Sequence, residues 1–141
     1  MPWVVDTCVL IDVGTDDPAF GGISERLLTT KQSEGLVACP FTTVELAPTF
    51  AGNAHALQEF LYHLGVSQSE AWTAADTDAA FDAWWRYVSL RRTRGAPKRP
   101  LVDLLIGAFA TRFRGLITRN PADFRPYFRE LRIVTPSRGA R

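Results

Sequence analysis

The 141-residue chain is predicted to fold as α/β, a three-layer α/β/α sandwich around a mostly parallel central sheet. Three observations point there. Short apolar runs of strand length recur along the chain, the first stopped by Asp6 and the second by Pro40. Segments of helical composition lie between them. The composition, 46% hydrophobic and 22% charged, is that of a globular domain and not of a disordered chain. A chain of this length suits one domain, here residues 1–136, burying roughly two-thirds of its unfolded surface; residues 137–141 read as a loose tail.

In chain order, Trp3-Val4-Val5 reads as a buried parallel strand ending at a carboxylate. A helix over 8–13 precedes the turn-rich Gly14–Pro18 stretch, and a surface helix over 24–34 stops at Gly35. Leu36-Val37-Ala38-Cys39 is the second strand. A helix from Thr42 or Thr43 carries Glu45, with those hydroxyls as caps, until Pro48 bends or restarts it. Residues 54–64 are helical, and Val66 begins a short strand. A long helix fits 73–92, with Ala80, Phe81, Trp84, Trp85 and Val88 as its apolar face at spacings of three and four. Residues 91–100 form a basic loop rich in breakers. A helix over 101–112 carries Asp103 near its start, and strands follow at 115–118 and 131–134.

The formal net charge of +1 hides a split. Residues 1–85 hold 12 acids and two bases, whereas residues 86–141 hold 14 bases and three acids. Such asymmetry points toward a nucleic acid or another charged partner. No apolar run approaches the roughly 20 residues that span a membrane. The start lacks the basic region and long apolar core of a signal peptide, so a cytoplasmic location is expected. Cys8 and Cys39 form neither a disulfide framework nor a zinc set and read as small buried hydrophobes. His55 and His63 lie eight apart without a Cys partner and read as ordinary helix residues.

In open α/β sheets, ligands gather at the carboxyl ends of the strands. Asp6 ends the first strand, Glu45 lies on the helix after the second, and Asp123 follows the 115–118 strand by a short loop. Asp103 begins a helix that brings its first turn to the same edge. Each acid taken singly suits a cap or a helix-dipole partner. The flanks of Asp6 and Asp103 are strongly apolar, however, and an acid there is costly without a partner. Crowded carboxylates must take up protons or be neutralised by a cation, and Mg²⁺ or Mn²⁺ favours such an all-oxygen setting.

Four segments together resemble the PIN-domain ribonucleases, and specifically the VapC toxins of bacterial toxin–antitoxin pairs. They are Val5-Asp6-Thr7-Cys8-Val9-Leu10-Ile11-Asp12, Thr43-Val44-Glu45-Leu46, Leu101-Val102-Asp103-Leu104-Leu105-Ile106-Gly107-Ala108 and Ile117-Thr118-Arg119-Asn120-Pro121-Ala122-Asp123-Phe124. The closing run Leu131–Pro136 is similar to the family's last strand, so the likeness spans residues 3–136. It implies a PIN-like fold and a Mg²⁺-dependent endoribonuclease, with Mn²⁺ able to substitute, acting on single-stranded or looped RNA. Asp6, Glu45 and Asp103 fall on the family's three principal metal-site acids. Many members carry an Asp where this chain has Asn120, which makes Asp123 the fourth acid. Thr7 matches a small hydroxyl residue and Thr118 a polar residue lining the pocket; Cys8 is a tolerated replacement and not a nucleophile. The resemblance also implies a VapB-like antitoxin lying over the site, and a homodimer.

Arg91, Arg92, Arg94, Lys98 and Arg99 are candidates for gripping RNA phosphates, with Arg112, Arg114 and Arg119 expected nearer the active edge. Of Trp84 and Trp85, one is expected in the core and the other along a partner groove. A phosphatase of the haloacid-dehalogenase type also places Asp after its first strand, but it needs a second Asp where this chain has Cys8. The remaining alternative is a catalytically impaired PIN-like module that binds RNA or protein, which Asn120 favours and the three principal acids disfavour.

Overall fold

The computed structural model describes residues 1–94 and 100–137, with the backbone alone for 92–94. Among the described residues the chain forms five strands and six α-helices. β1 (Trp3–Val5), α1 (Thr7–Gly14), α2 (Gly21–Lys31) and β2 (Leu36–Val37) come first, and a 3-10 turn at Gln32–Glu34 precedes β2. α3 (Pro40–Glu45), α4 (Ala54–Leu64), β3 (Val66–Ser67) and α5 (Ala74–Arg94) follow. The chain closes with α6 (Leu101–Ala110), β4 (Gly115–Ile117), a 3-10 turn at Pro121–Asp123 and β5 (Ile133–Val134).

The sheet runs β3-β2-β1-β4-β5 and every pairing is parallel. The chain therefore builds outward from β1 in one direction, then crosses back to the other side. Right-handed crossovers require the helices of these two halves to lie on opposite faces. They do: Val9, Leu10, Leu28, Leu57 and Leu61 of α1, α2 and α4 pack with Trp3, Val5 and Ile117 on one face. Ala80, Ala83 and Tyr87 of α5 and Leu104, Ile106 and Phe109 of α6 pack with Val4 and Leu116 on the other. The alternation of Trp3 and Val5 against Val4 is the period of two that a strand buried on both faces requires. Among the described residues no helix is long and apolar enough to cross a membrane.

Two close approaches fix the chain ends of the strands. Gly35 adopts φ 93° and delivers its carbonyl to the Trp3 amide at 2.9 Å, aligning β2 beside β1. Gly115 begins β4 where an added Cβ would sit 2.7 Å from the Trp3 ring and against the Arg132 carbonyl. Neither neighbour can give way without moving a strand. Gly115→Ala is expected to cost about 1–3 kcal/mol by overpacking, measured by urea unfolding; unchanged stability would contradict this packing.

The structure corrects three local expectations. α3 starts at Pro40 with Cys39 at the cap position, so Thr42 and Thr43 lie inside the helix and cap nothing. Proline at a helix start sacrifices no hydrogen bond, and that preference sets the boundary. Pro48 falls in the turn between α3 and α4, where Asn53 caps α4 by accepting from the Ala56 amide. On α5 the buried face is Ala80, Ala83 and Tyr87, while Phe81 is 75% and Trp85 59% exposed. Trp84 is half-buried against the core and stacks on Tyr87 at 5.4 Å.

Candidate active site at the switch in strand order

β1 and β4 are adjacent in the sheet, and the chain reverses its direction of winding between them. Their carboxyl ends flank the crevice where open α/β sheets bind ligands. Asp6 follows β1 directly, and its amide donates to the Ile117 carbonyl at 2.9 Å. It sits at the cap position of α1, yet its side chain makes no capping bond. The carboxylate instead faces across the crevice: Oδ2 accepts from the Thr118 hydroxyl at 2.7 Å and from the Cys8 thiol at 3.2 Å. Thr118 in turn accepts from the Asn120 amide at 3.0 Å, which fixes the direction in which its single proton points.

A second set of contacts joins α1 to α3. The Thr7 hydroxyl donates to Glu45 Oε1 at 2.6 Å and lies 3.0 Å from the hydroxyl of Thr42. Thr42 is fully buried. Its position inside α3, not at the cap, is what turns it toward this contact. Thr7 and Thr118 therefore each anchor one carboxylate, and Asp6 and Glu45 converge on the start of α1 from two directions.

The electrostatics follow from burial. Asp6 is 4% exposed, and desolvation pushes its carboxyl above the ordinary carboxylate range. The Thr118, Cys8 and Thr7 hydrogen bonds oppose that shift, and the charge of Glu45 adds to it. Burial and the neighbouring Asp6 charge push the Cys8 thiol up to about 12, so it stays protonated and serves as a donor. This agrees with its reading as a tolerated replacement and not a nucleophile. Cys39 is buried and its thiol is raised to about 11 by desolvation.

The other two candidate acids reach this edge on their own elements. α6 runs into the start of β4, so its first turn, with Asp103, lies at the opposite edge, the one that carries Asp6. Asp103 is half-buried there. Asp123 ends the 3-10 turn after β4 and is exposed, as is Asn120. Among the described residues no three His, Cys, Asp or Glu side chains form a group able to hold a metal ion. The pair that does converge fits a hard cation by its chemistry. Both donors are carboxylates, they repel each other, and one is desolvated, so a positive charge between them relieves both strains. Mg²⁺ characteristically takes one or two protein carboxylates and keeps water or phosphate oxygens elsewhere.

One pair was not anticipated. Asp12, 4% exposed on α1, is held by Arg119, whose Nε and NH2 groups donate to its two oxygens at 2.8 and 3.3 Å. Arg119 also lies 4.6 Å over the Phe20 ring. Burial pushes the Asp12 carboxyl up against the pull of Arg119. The pair pins the residue after Thr118 to the helix that begins at Thr7, so it steadies both sides of the crevice. The signal was present: Asp12 stands between Ile11 and Val13, as unfavourable for a lone acid as the flanks of Asp6.

Among the basic candidates, Arg119 is thus engaged internally. Arg112 and Arg114 lie at the edge away from Asp6, a correction that follows from the length of α6, whose ten residues carry the chain across the sheet before β4 starts. Arg112 donates to both oxygens of Asp76 at 3.0 and 2.9 Å and to the Ala71 carbonyl, while Arg114 donates to the Met1 carbonyl at 2.7 Å. Arg91 is exposed near the end of α5. Lys98, Arg99 and the side chains of Arg92 and Arg94 lie outside the described residues. Neither a protein-family model nor a curated protein matches the chain, and its site is characterised by this geometry.

Proposed function

We propose that this chain is a metal-dependent endoribonuclease of the PIN type, a cytoplasmic VapC-like toxin restrained by a VapB-like antitoxin and acting as a homodimer. The observation that supports it is the convergence of Asp6 and Glu45 at the switch in strand order, each carboxylate oriented by its own threonine. In this reading Asp6 and Glu45 hold Mg²⁺ or Mn²⁺, with Asp103 and Asp123 contributing from the same edge. The chemistry such an ion supplies is activation of a water and neutralisation of charge on the scissile phosphate. The protein's own part is positional. Thr118 and Cys8 fix Asp6 by donating to Oδ2, Thr7 fixes Glu45, and the Asp12–Arg119 pair holds the two flanks of the crevice at constant separation. Cys8 takes no covalent role, because its thiol is protonated at neutral pH.

The purified chain, incubated with cellular RNA, is expected to cut it with Mg²⁺ or Mn²⁺ and to stop on addition of EDTA. Sequencing of the new RNA ends then identifies the target. RNA left intact with either ion overturns the reading. The second reading, a PIN-like module that binds without cutting, is favoured by the neutral Asn120 and by the convergence of two acids where the family uses more; the same incubation decides between them.

A further inference from the structure

The geometry points to a single-stranded RNA track in the groove between α5 and residues 126–132, on the flank of the domain and leading to the Asp6 edge. The inference deepens the proposed ribonuclease and rests on that reading for the identity of the strand.

The groove comprises two adjoining cavities. The larger, about 910 Å³, is walled by Arg86, Arg114, Arg129 and Arg132 with the Phe113 and Tyr127 rings. The smaller, about 270 Å³, is lined by Trp85, Leu90 and Pro126, and shares Arg86 and Arg129 with the first. Two acids, Asp82 and Glu130, also line the larger cavity; of its four arginines, Arg114 is paired with Glu34 at 3.4 Å and Arg86 donates to the Tyr127 carbonyl, so Arg129 and Arg132 supply the charge for a phosphate. Neither cavity includes a residue that contacts Asp6 or Glu45.

Its direction follows from the fold. α5 starts at the edge away from Asp6, where Arg112 holds Asp76 and the Ala71 carbonyl. It ends near the opposite edge, where α6 begins. The segment after Asp123 runs the other way, from the Asp6 edge back to Arg132, whose carbonyl accepts from the Leu116 amide at 2.8 Å. Arg86 ties these walls together by donating to the Tyr127 carbonyl at 2.8 Å. From Ala79 to Leu90 the α5 wall is roughly 16 Å long, the length of about five stacked nucleotides.

The lining chemistry favours one class of ligand. Guanidinium groups spaced along a groove bind a phosphate backbone, and exposed flat rings stack on unpaired bases without regard to sequence. Arg129 is exposed, and among the described residues no acid pairs with it. Trp85 lines the smaller cavity and is 59% exposed, while the core of α5 is filled by Ala83 and Tyr87.

Binding of a fluorescein-labelled 15-nucleotide single-stranded RNA to the full chain in EDTA, where no cleavage intervenes, tests it. Arg129→Glu and Trp85→Ala are each expected to weaken binding about tenfold, and Arg129→Glu to lower the salt dependence by about one unit of slope. The duplex form of the same RNA should bind more weakly than the single strand. Unchanged affinity in both variants overturns the track. So does equal binding of a polyglutamate peptide with the same dependence on Arg129, which would make the groove a docking surface for an acidic protein. Loss of binding in the variants, with no cleavage by the wild type under Mg²⁺ or Mn²⁺, would retain the track and remove the ribonuclease. Cleavage that requires Asp6, with binding untouched by the variants, would do the reverse.

Discussion

Asp6→Asn is expected to lower RNA cleavage by more than about 100-fold, beyond the ~10–100-fold typical when only an outer-shell partner of a metal is lost. The same substitution should leave the fold more resistant to urea. The wild-type carboxyl is desolvated and lies beside the charge of Glu45, so its folded-state pKa is raised above the ordinary 3.8 of an aspartate. The folded state therefore holds a proton that the unfolded chain releases. That preference costs stability as pH rises from about 4 to the folded-state value, and the cost persists at neutral pH. An asparagine carries no such charge, yet its amide oxygen can still accept from Thr118 and Cys8, and its NH2 group faces Glu45 favourably. Urea midpoints in EDTA should separate in favour of the variant as pH rises above 4 and then stay apart. A variant that cuts RNA like the wild type would remove Asp6 from the chemistry. One that is less stable than the wild type at neutral pH would contradict the desolvation account. Loss of activity with gain of stability is the trade expected where a site holds charge that the fold alone would reject.

The second large effect belongs to Asp76, far from the crevice. It is 1% exposed, receives two bonds from Arg112, and reciprocates with Thr73 at the start of α5: the Thr73 amide donates to its carboxylate and its own amide donates to the Thr73 hydroxyl. Arg112 lies 4.6 Å over the Phe113 ring and reaches the Ala71 carbonyl, so the pair joins α5, α6 and the loop before α5. Asp76→Ala leaves a guanidinium without its counter-charge and a helix without its cap. The expected cost is about 3–5 kcal/mol, toward the lower figure because Arg112 is partly exposed. Against a domain stability of about 5–15 kcal/mol, such a loss is a large fraction of the whole. The pH dependence runs opposite to that of Asp6. Burial alone would raise the Asp76 carboxyl, but the Arg112 and Thr73 hydrogen bonds outweigh it and hold it below 3.8. Its contribution is thus present above pH 4 and lost as pH falls through the lower folded-state value. Asp76→Asn should flatten that acid limb of the stability curve; an unchanged acid limb would mean the ion pair contributes little.

What the amino-acid order revealed, and what it hid, divides along physical lines. The strands were legible because β1 and β2 are buried on both faces and are followed by residues that end strands, Asp6 directly and Pro40 three residues on. Asp6 stood out as an acid at the carboxyl end of such a strand and Glu45 as one on the helix after the next, and the structure links them through Thr7 at the start of α1. The apolar face of α5 was misread because Phe81 and Trp85 outweigh Ala80 and Ala83 in bulk. The sheet admits small residues there, and the large rings turn outward. Arg112 and Arg114 were assigned to the wrong edge because a helix length decides which end of the sheet a residue reaches. The pairing of Asp12 with Arg119 was hidden for a different reason: the partners are 107 residues apart, and only the adjacency of β1 and β4 brings them together.

That adjacency also sets a clock. Asp6 and the hydroxyl that orients it are separated by 112 residues, and β1 lies in the middle of the sheet waiting for β4. At about 5–20 residues per second, the first half of the crevice leaves the ribosome roughly 6–22 s before the second. Over that interval the nascent chain carries Asp6 and Glu45 without Thr118, Arg119 or the strand that closes the crevice. In the proposed ribonuclease the crevice gains its shape only once β4 is free to dock beside β1.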